Sequence, residues 1–84
     1  MQLEIVTPES NLFSGEATSV LCPGINGSFG ILNNHAPMIA TLDNGEIKIT
    51  TSSEEKVIEI SGGVVEVLNN KVIVLAETPK EKSE

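Results

Sequence analysis

The sequence predicts an all-β domain, folded as a two-sheet antiparallel β-sandwich of about eight to ten short strands. Three observations lead to this fold class. Apolar and polar residues alternate with a period of two, turn-forming residues interrupt the chain every few positions, and no segment has the pattern of a long amphipathic helix. A chain of 84 residues makes one domain, and it must bury nearly all its apolar side chains to be stable.

The predicted strands can be followed along the chain. MQLEIVT alternates Leu3 and Ile5 with polar neighbours, and GEIKITT does the same with Ile47 and Ile49. Three β-branched runs follow, KVIEIS, VVEVL and KVIVLAE, and the turn segments are TPES, CPGING, LNNHAP, LDNG, TSSEE, SGG and LNNK. The domain is therefore predicted to span residues 1–78. The charged, proline-led tail at 79–84 has no apolar residue and is predicted to be disordered.

The last half of the chain predicts two hairpins. The dipeptides GG at 62–63 and NN at 69–70 both favour two-residue turns. Such turns would place these residues opposite one another: Ile60 and Val65, Ile58 and Val67, Val67 and Val72, Val65 and Val74, and the like-charged Glu59 and Glu66. Because like charges directly opposite are unfavourable, a bulge at the glycines would shift this register.

Both faces of this predicted sheet are aliphatic. The second face carries Val57, Val64, Leu68, Ile73 and Leu75. A sheet with one solvated side should instead alternate apolar with polar residues. Two interpretations stay open: a second sheet of the same domain covers this face, or another subunit docks on it.

Composition excludes several classes of function. Acidic residues outnumber basic ones 12 to 5, all the basic residues are lysines, and the only aromatics are Phe13 and Phe29. Such a chain lacks the arginine forks and stacking platforms of nucleic-acid binders and the positive charge that anionic lipid attracts. No apolar run approaches the roughly 20 residues of a membrane span, and no signal peptide precedes the domain, so we expect a soluble intracellular protein. Cys22 is alone and is predicted to be a small buried hydrophobe.

The one histidine, His35, lies in the glycine-rich stretch GINGSFGILNNHAPMIATLDNGEI. No GxSxG elbow, HExxH pair or Cys/His cluster accompanies it, and GxxGxxG without a lysine is a poor phosphate cradle. The sequence therefore predicts no catalytic residue, no cofactor and no metal. Pro37 forces Ala36 into an extended conformation, so His35 should lie at a rigid corner. It is either a hydrogen-bonded loop residue or a side chain presented to a partner.

Two segments together, GSFGILNNHAPMIATLDNGEIKI and ISGGVVEVLNNKVIVLAET, closely resemble the epsilon subunit of F-type ATP synthases, which is called delta in mitochondria. The resemblance covers residues 2–78. It implies a non-catalytic β-sandwich in the central stalk, which clamps the gamma subunit, rests on the membrane c-ring and so couples ion flow to the alpha/beta catalytic head. The implied location is the cytoplasmic face of the membrane, in a bacterium the plasma membrane, without insertion into lipid.

The resemblance also implies contact residues. The family's c-ring contact corresponds here to Gly27, Ser28, Phe29, Gly30 and His35, although many members carry an acidic residue where this chain has Ser28. The second aliphatic face, with Val64, Leu68, Ile73 and Leu75, is the candidate surface for gamma. Many members continue into a C-terminal helical hairpin. The eight residues after Ala76 cannot build one, so we expect a short form that neither brakes rotation nor binds ATP.

The alternative from a different class is a lipoyl- or biotinyl-type carrier domain. Such carriers are also small acidic β-domains with one modified lysine at a hairpin tip, and Lys56 in SSEEKVIEI would be that lysine. The chain lacks the MKM and DKA motifs of these carriers and their two-fold internal repeat.

Overall fold

The computed structural model describes residues 1–79 and confirms the predicted all-β sandwich. Its nine strands are β1 (Gln2–Val6), β2 (Asn11–Glu16), β3 (Ser19–Gly24), β4 (Gly27–Leu32), β5 (Met38–Leu42), β6 (Gly45–Thr50), β7 (Glu55–Ile60), β8 (Gly62–Leu68) and β9 (Lys71–Glu77). The described part of the chain contains no helix able to cross a membrane. The tail predicted at 79–84 lies, apart from Pro79, outside the described residues.

The strands form two layers. Sheet one has the order β2-β1-β9-β8-β5, and sheet two has the order β4-β3-β6-β7. One bridge, between Gly24 of β3 and Leu42 of β5, connects the two layers. All neighbours are antiparallel except β1 and β9, which run parallel. The structure therefore differs at this one pair from a purely antiparallel sandwich. The first strand enters sheet one between β2 and the last strand instead of joining an edge.

The core fills the space between the layers, and the period of two explains its composition. In β1, for example, Leu3 and Ile5 are fully buried while their polar neighbours face outward. The buried core residues are Met1, Leu3, Ile5, Ala17, Val20, Cys22, Ile31, Leu42, Ile47, Ile49, Ile60, Val65, Val67, Val72, Val74 and Ala76. Among residues 1–79 no polar or charged side chain is buried with them. The side chains of the core are thus held together by apolar packing.

The predicted asparagine hairpin is confirmed. Asn69 and Asn70 have φ angles of 54° and 60°, as a type I′ turn requires. The turn joins β8 to β9 with Val67 opposite Val72 and Val65 opposite Val74.

The predicted glycine hairpin is wrong. β7 pairs with β6 in sheet two, whereas β8 pairs with β5 and β9 in sheet one. Gly62 and Gly63 therefore form a corner at which the chain crosses between the layers, and Glu59 lies opposite Glu46 instead of Glu66. Glycine is required at this corner because the backbone of β8 packs closely against the backbone of β9. A Cβ on Gly63 would lie 2.4 Å from the carbonyl oxygen of Leu75.

Candidate functional site

The β3–β4 hairpin carries four of the predicted c-ring residues. Gly24 pairs with Gly27, so the turn between them consists of Ile25 and Asn26. Gly27 has a φ of +122°, a backbone conformation that residues with a side chain rarely adopt, which explains the glycine at this position. The Ile25 N–H donates a hydrogen bond of 3.1 Å to the Thr41 carbonyl oxygen. The hairpin tip is therefore fixed against the end of β5.

An open groove of about 570 Å³ lies between this hairpin and β5. Its lining residues are Gly24, Ile25, Asn26, Gly27, Ser28, Phe29, Met38, Ile39, Ala40 and Thr41. The groove borders both the predicted c-ring residues and the outer side of β5.

Within residues 1–79, strand β4 pairs with β3 alone and is therefore an edge strand. Ser28, Gly30 and Leu32 are exposed along it, whereas Ile31 is buried and Phe29 is half-buried and packs against the core. A Cβ added to Gly30 would meet only the Val20 carbonyl oxygen, at 3.9 Å, an ordinary van der Waals contact. Gly30 is therefore not needed for close packing within the domain. Because Gly30 has no side chain, a partner could approach the backbone of β4 closely at this position.

His35 lies in the turn that follows β4. The backbone N–H of His35 donates a hydrogen bond to the Leu32 carbonyl oxygen at 3.2 Å. The ring nitrogen Nδ1 lies 2.7 Å from the Ala36 carbonyl oxygen. Because a carbonyl oxygen can only accept, Nδ1 carries a proton and leaves Nε2 available to a partner. The preceding residue, Asn34, donates its N–H to the side-chain oxygen of Asn70 at 2.7 Å. The turn is thus fixed to the β8–β9 hairpin, in agreement with the rigid corner predicted from Pro37.

The five predicted c-ring residues are not brought together at one point. Gly27 begins β4 at one end of the sandwich, and His35 follows the last residue of that strand at the other end. At about 3.3 Å per residue, the five steps from Gly27 to Leu32 cover about 17 Å. These residues instead line one long side of the domain. Phe29 differs from the others because its ring faces inward.

The residues predicted for gamma all lie on the outer side of sheet one. Val64, Leu68 and Leu75 are exposed, the last two by 51% and 58%, and Ile73 is half-buried. Cross-strand pairing places Leu75 beside Val64 and beside Val6 of β1. We call this surface the aliphatic face and define it by Val6, Ile39, Val64, Leu68, Ile73 and Leu75.

Sequence reasoning missed Ile39, which is 72% exposed. In MIATL, residues 38, 40 and 42 face the core, and Ile39 and Thr41 face outward. The alternation was visible in the sequence. What was missing was the pairing of β5 with β8, which places Ile39 beside Glu66. Val57, which was grouped with this face, lies on β7 in sheet two instead.

In the part of the chain that the structure describes, the other chemically reactive side chains do not form a site. Cys22 is 1% exposed, and burial raises the pKa of its thiol from 9.0 to about 11, so it is a core residue, as predicted. Within residues 1–79 no group of three or more His, Cys, Asp or Glu side chains could hold a metal ion. Lys56 is the second residue of β7, and its Nζ lies 5.8 Å from the centroid of the Phe13 ring on β2. It is not at a hairpin tip, where a carrier lysine would stand.

The sequence profile of the family described as ATP synthase, Delta/Epsilon chain, beta-sandwich domain matches residues 1–82. The ATP synthase epsilon chain of Desulfitobacterium hafniense strain Y51 is 48% identical over 82 residues, which are 95% of this chain and 62% of that relative. The epsilon chain of Chlorobaculum tepidum is 46% identical over 76 residues, 89% of this chain and 86% of that relative. The chain thus spans less than two thirds of the first of these relatives and most of the second.

Solved structures share the fold. A chain in the central stalk and c-ring of the Tetrahymena thermophila mitochondrial ATP synthase superposes with a TM-score of 0.80 at 20% identity, covering 90% of this chain and 62% of that chain. A chain in the Euglena gracilis mitochondrial ATP synthase, from its OSCP/F1/c-ring structure, gives a TM-score of 0.82 at 18% identity, covering 88% and 48%. At this level of identity the likeness concerns the β-sandwich itself.

Proposed function

The chain belongs to the ATP synthase delta/epsilon chain family, and we propose that it acts as the epsilon subunit of an F-type ATP synthase. In this role it is a non-catalytic part of the central stalk. It joins the gamma subunit to the membrane c-ring, so that rotation driven by ion flow reaches the alpha/beta head, where ATP is made. The observation that carries the proposal is the family match over residues 1–82.

The aliphatic face is the surface that we assign to gamma. Sheet two covers only the inner side of sheet one, and no described residue covers the aliphatic face. Of the two interpretations left open by the sequence, this arrangement favours docking of another subunit. Exposed apolar patches of several hundred Å² commonly mark such interfaces (roughly 300–600 Å² on a typical monomer).

The c-ring contact is assigned to the side of the domain formed by β4 and the turn that follows it. Ser28 and Gly30 face outward along this edge, and His35 stands at its far end. Small and polar groups on an edge strand suit a polar loop, which can approach the backbone closely there. In this arrangement the subunit lies at the cytoplasmic face of the membrane, in a bacterium the plasma membrane, with no side chain inserted into lipid.

Co-purification tests the proposal directly. The affinity tag belongs at the C-terminus, because the Met1 ammonium donates to the Ala17 carbonyl oxygen at 3.0 Å in a buried position. From solubilised membranes, the tagged chain should retain gamma, alpha and beta together with the c-ring. Recovery of the chain alone, under conditions in which the rest of the complex remains assembled, would disprove the proposal.

Leu68→Lys should abolish most of the association with gamma while changing stability little. Leu68 is half exposed in the free domain, so the substitution removes few contacts within the fold. At an interface the lysine would replace apolar contacts with a charge that must be desolvated, and it would occupy the depressions that Leu68 lines beside Glu66. The matched control is Leu32→Lys, which changes another exposed leucine on β4 of sheet two. Capture of purified gamma and the thermal midpoint are measured together. Equal losses of both in Leu68→Lys would place this residue in the internal core.

Gly30→Val should impair ATP-driven ion pumping without harming the domain. The added Cβ meets only the Val20 carbonyl oxygen, at 3.9 Å, Gly30 is exposed, and valine is favoured in strands, so folding should be preserved. On the outer side of β4, however, the bulk would prevent the close approach of a c-ring loop. Pumping in reconstituted vesicles is compared with gamma capture, which should be unchanged. Normal pumping by the variant would remove Gly30 from the contact.

A further inference from the structure

The aliphatic face contains two carboxylates. Glu66 of β8 stands directly between Ile39 of β5 and Ile73 of β9. On the far side of Ile73 lies Glu4 of β1. One row across four strands therefore reads Glu4, Ile73, Glu66, Ile39, with the two acids separated by a single isoleucine.

The position of Glu66 is central to the surface. Two shallow depressions, of about 280 and 390 Å³, flank it on this face, and Glu66 and Leu68 line both of them. Ile73 lines the first and Ile39 the second. A partner that fills these depressions must pass over the Glu66 carboxylate.

Among residues 1–79 no cation forms an ion pair with either of these acids. Within residues 1–79 the one ion pair joins the Met1 ammonium to Glu16, 3.4 Å apart. Lys71 of β9 lies on the same side and lines one of the two depressions together with Glu66, but it forms no ion pair with a carboxylate of residues 1–79. In the free domain water solvates Glu66 and Glu4. A partner that covers the face removes this water, and a buried carboxylate without a cation or donor is strongly unfavourable.

We propose that the segment of gamma that docks on the aliphatic face brings a basic side chain to Glu66 and a second one to Glu4, set among its own apolar residues. The inference rests on the proposed function, because it specifies the chemistry of that interface. Two strand spacings separate Glu66 from Glu4, about 10 Å. On a helix, positions i and i+7 on one face are separated by about 10.5 Å. An amphipathic helix with basic residues two turns apart matches this spacing, and arginine suits the sites best because it binds a carboxylate through two hydrogen bonds.

The direction in which one substitution changes the affinity for gamma distinguishes a basic partner from a purely apolar one. Glu66→Gln keeps the size of the side chain and removes its charge. Against a basic partner, the variant loses the attraction and leaves the partner's cation unpaired, so association weakens. Against an apolar partner, the variant is easier to desolvate, so association strengthens.

The experiment measures the affinity of the full chain for purified gamma by titration at low and physiological salt. We expect Glu66→Gln to weaken binding ~10-fold or more and Glu4→Gln to weaken it by less. Binding of both variants should also depend less on salt than binding of the wild type. The matched control is Glu59→Gln, on the strand pair β6–β7 of sheet two, which should leave the affinity unchanged.

The outcomes also separate this inference from the proposed function. Wild-type binding to gamma together with tighter or equal binding of Glu66→Gln overturns the basic-helix inference alone. Failure of the wild type to bind gamma overturns both. Because Glu66 is exposed, Glu66→Gln should melt at the wild-type temperature, and a shifted midpoint would mean that the side chain serves the fold.

Discussion

Replacing Gly63 with alanine should lower the free energy of unfolding by roughly 3 kcal/mol. The new Cβ would lie 2.4 Å from the Leu75 carbonyl oxygen and 3.0 Å from the Cα of Ala76, both backbone atoms that cannot rotate away. The φ angle of +156° at Gly63 adds strain for any other residue. For a domain of this size, such a loss lowers the thermal midpoint by roughly 12–24 °C.

The control for Gly63→Ala is Gly30→Ala. Both variants add one methyl group to a strand residue, but at Gly30 the methyl meets only an oxygen at 3.9 Å. Gly30→Ala should melt within a few degrees of the wild type. Similar midpoints for the two variants would show that the corner between β7 and β8 relaxes freely, contrary to the close packing described here.

Ile5→Ala should cost roughly 2–5 kcal/mol of stability, because it opens a cavity at a fully buried position. The matched variant is Ile39→Ala, which deletes the same atoms from a side chain 72% exposed on the same sheet. Ile39→Ala should remain within about 0.5 kcal/mol of the wild type. Urea denaturation measures both values.

The loss of gamma binding should be larger for Ile39→Ala than for Ile5→Ala, the reverse of the order of their losses of stability. Ile39→Ala removes part of the aliphatic face and should weaken association, whereas folded Ile5→Ala presents an unchanged surface. A loss of stability in Ile39→Ala as large as that in Ile5→Ala would mean that β5 does not present Ile39 to solvent.

Local sequence pattern was sufficient to predict the strands β1, β6, β7, β8 and β9 and the asparagine hairpin, whereas β2 and β3 were not identified. Alternation with a period of two specifies which side of a strand is buried, as at Leu3 and Ile5, without reference to the rest of the fold. The turn at Asn69 and Asn70 depends only on the φ angles of its two residues, which asparagine tolerates. Both features are local, and the structure confirms both.

Strand pairing between distant segments could not be predicted in this way. A glycine pair is compatible with a tight hairpin and also with a corner at which two backbones touch, and only the position of β9 distinguishes the two. For the same reason Ile39 was not predicted to belong to the aliphatic face, because nothing near MIATL in the sequence indicates that β8 is the neighbour of β5. Gly27 and His35, eight positions apart in the sequence, were both predicted to contact the c-ring and were grouped for a similar reason. An intervening extended strand places them at opposite ends of the domain.

The parallel pairing of β1 with β9 has a consequence for biosynthesis. On the ribosome β1 emerges first, yet in sheet one its place is between β2 and a strand that is synthesised about 70 residues later. Until β9 leaves the exit tunnel, the β1–β2 hairpin lacks its neighbour, and a two-stranded hairpin alone is at best marginally stable in water. Closure of so long a loop is also slow. Sheet one therefore forms only after β9 has been synthesised, whereas the four strands of sheet two, which lie within residues 19–60, can pair earlier.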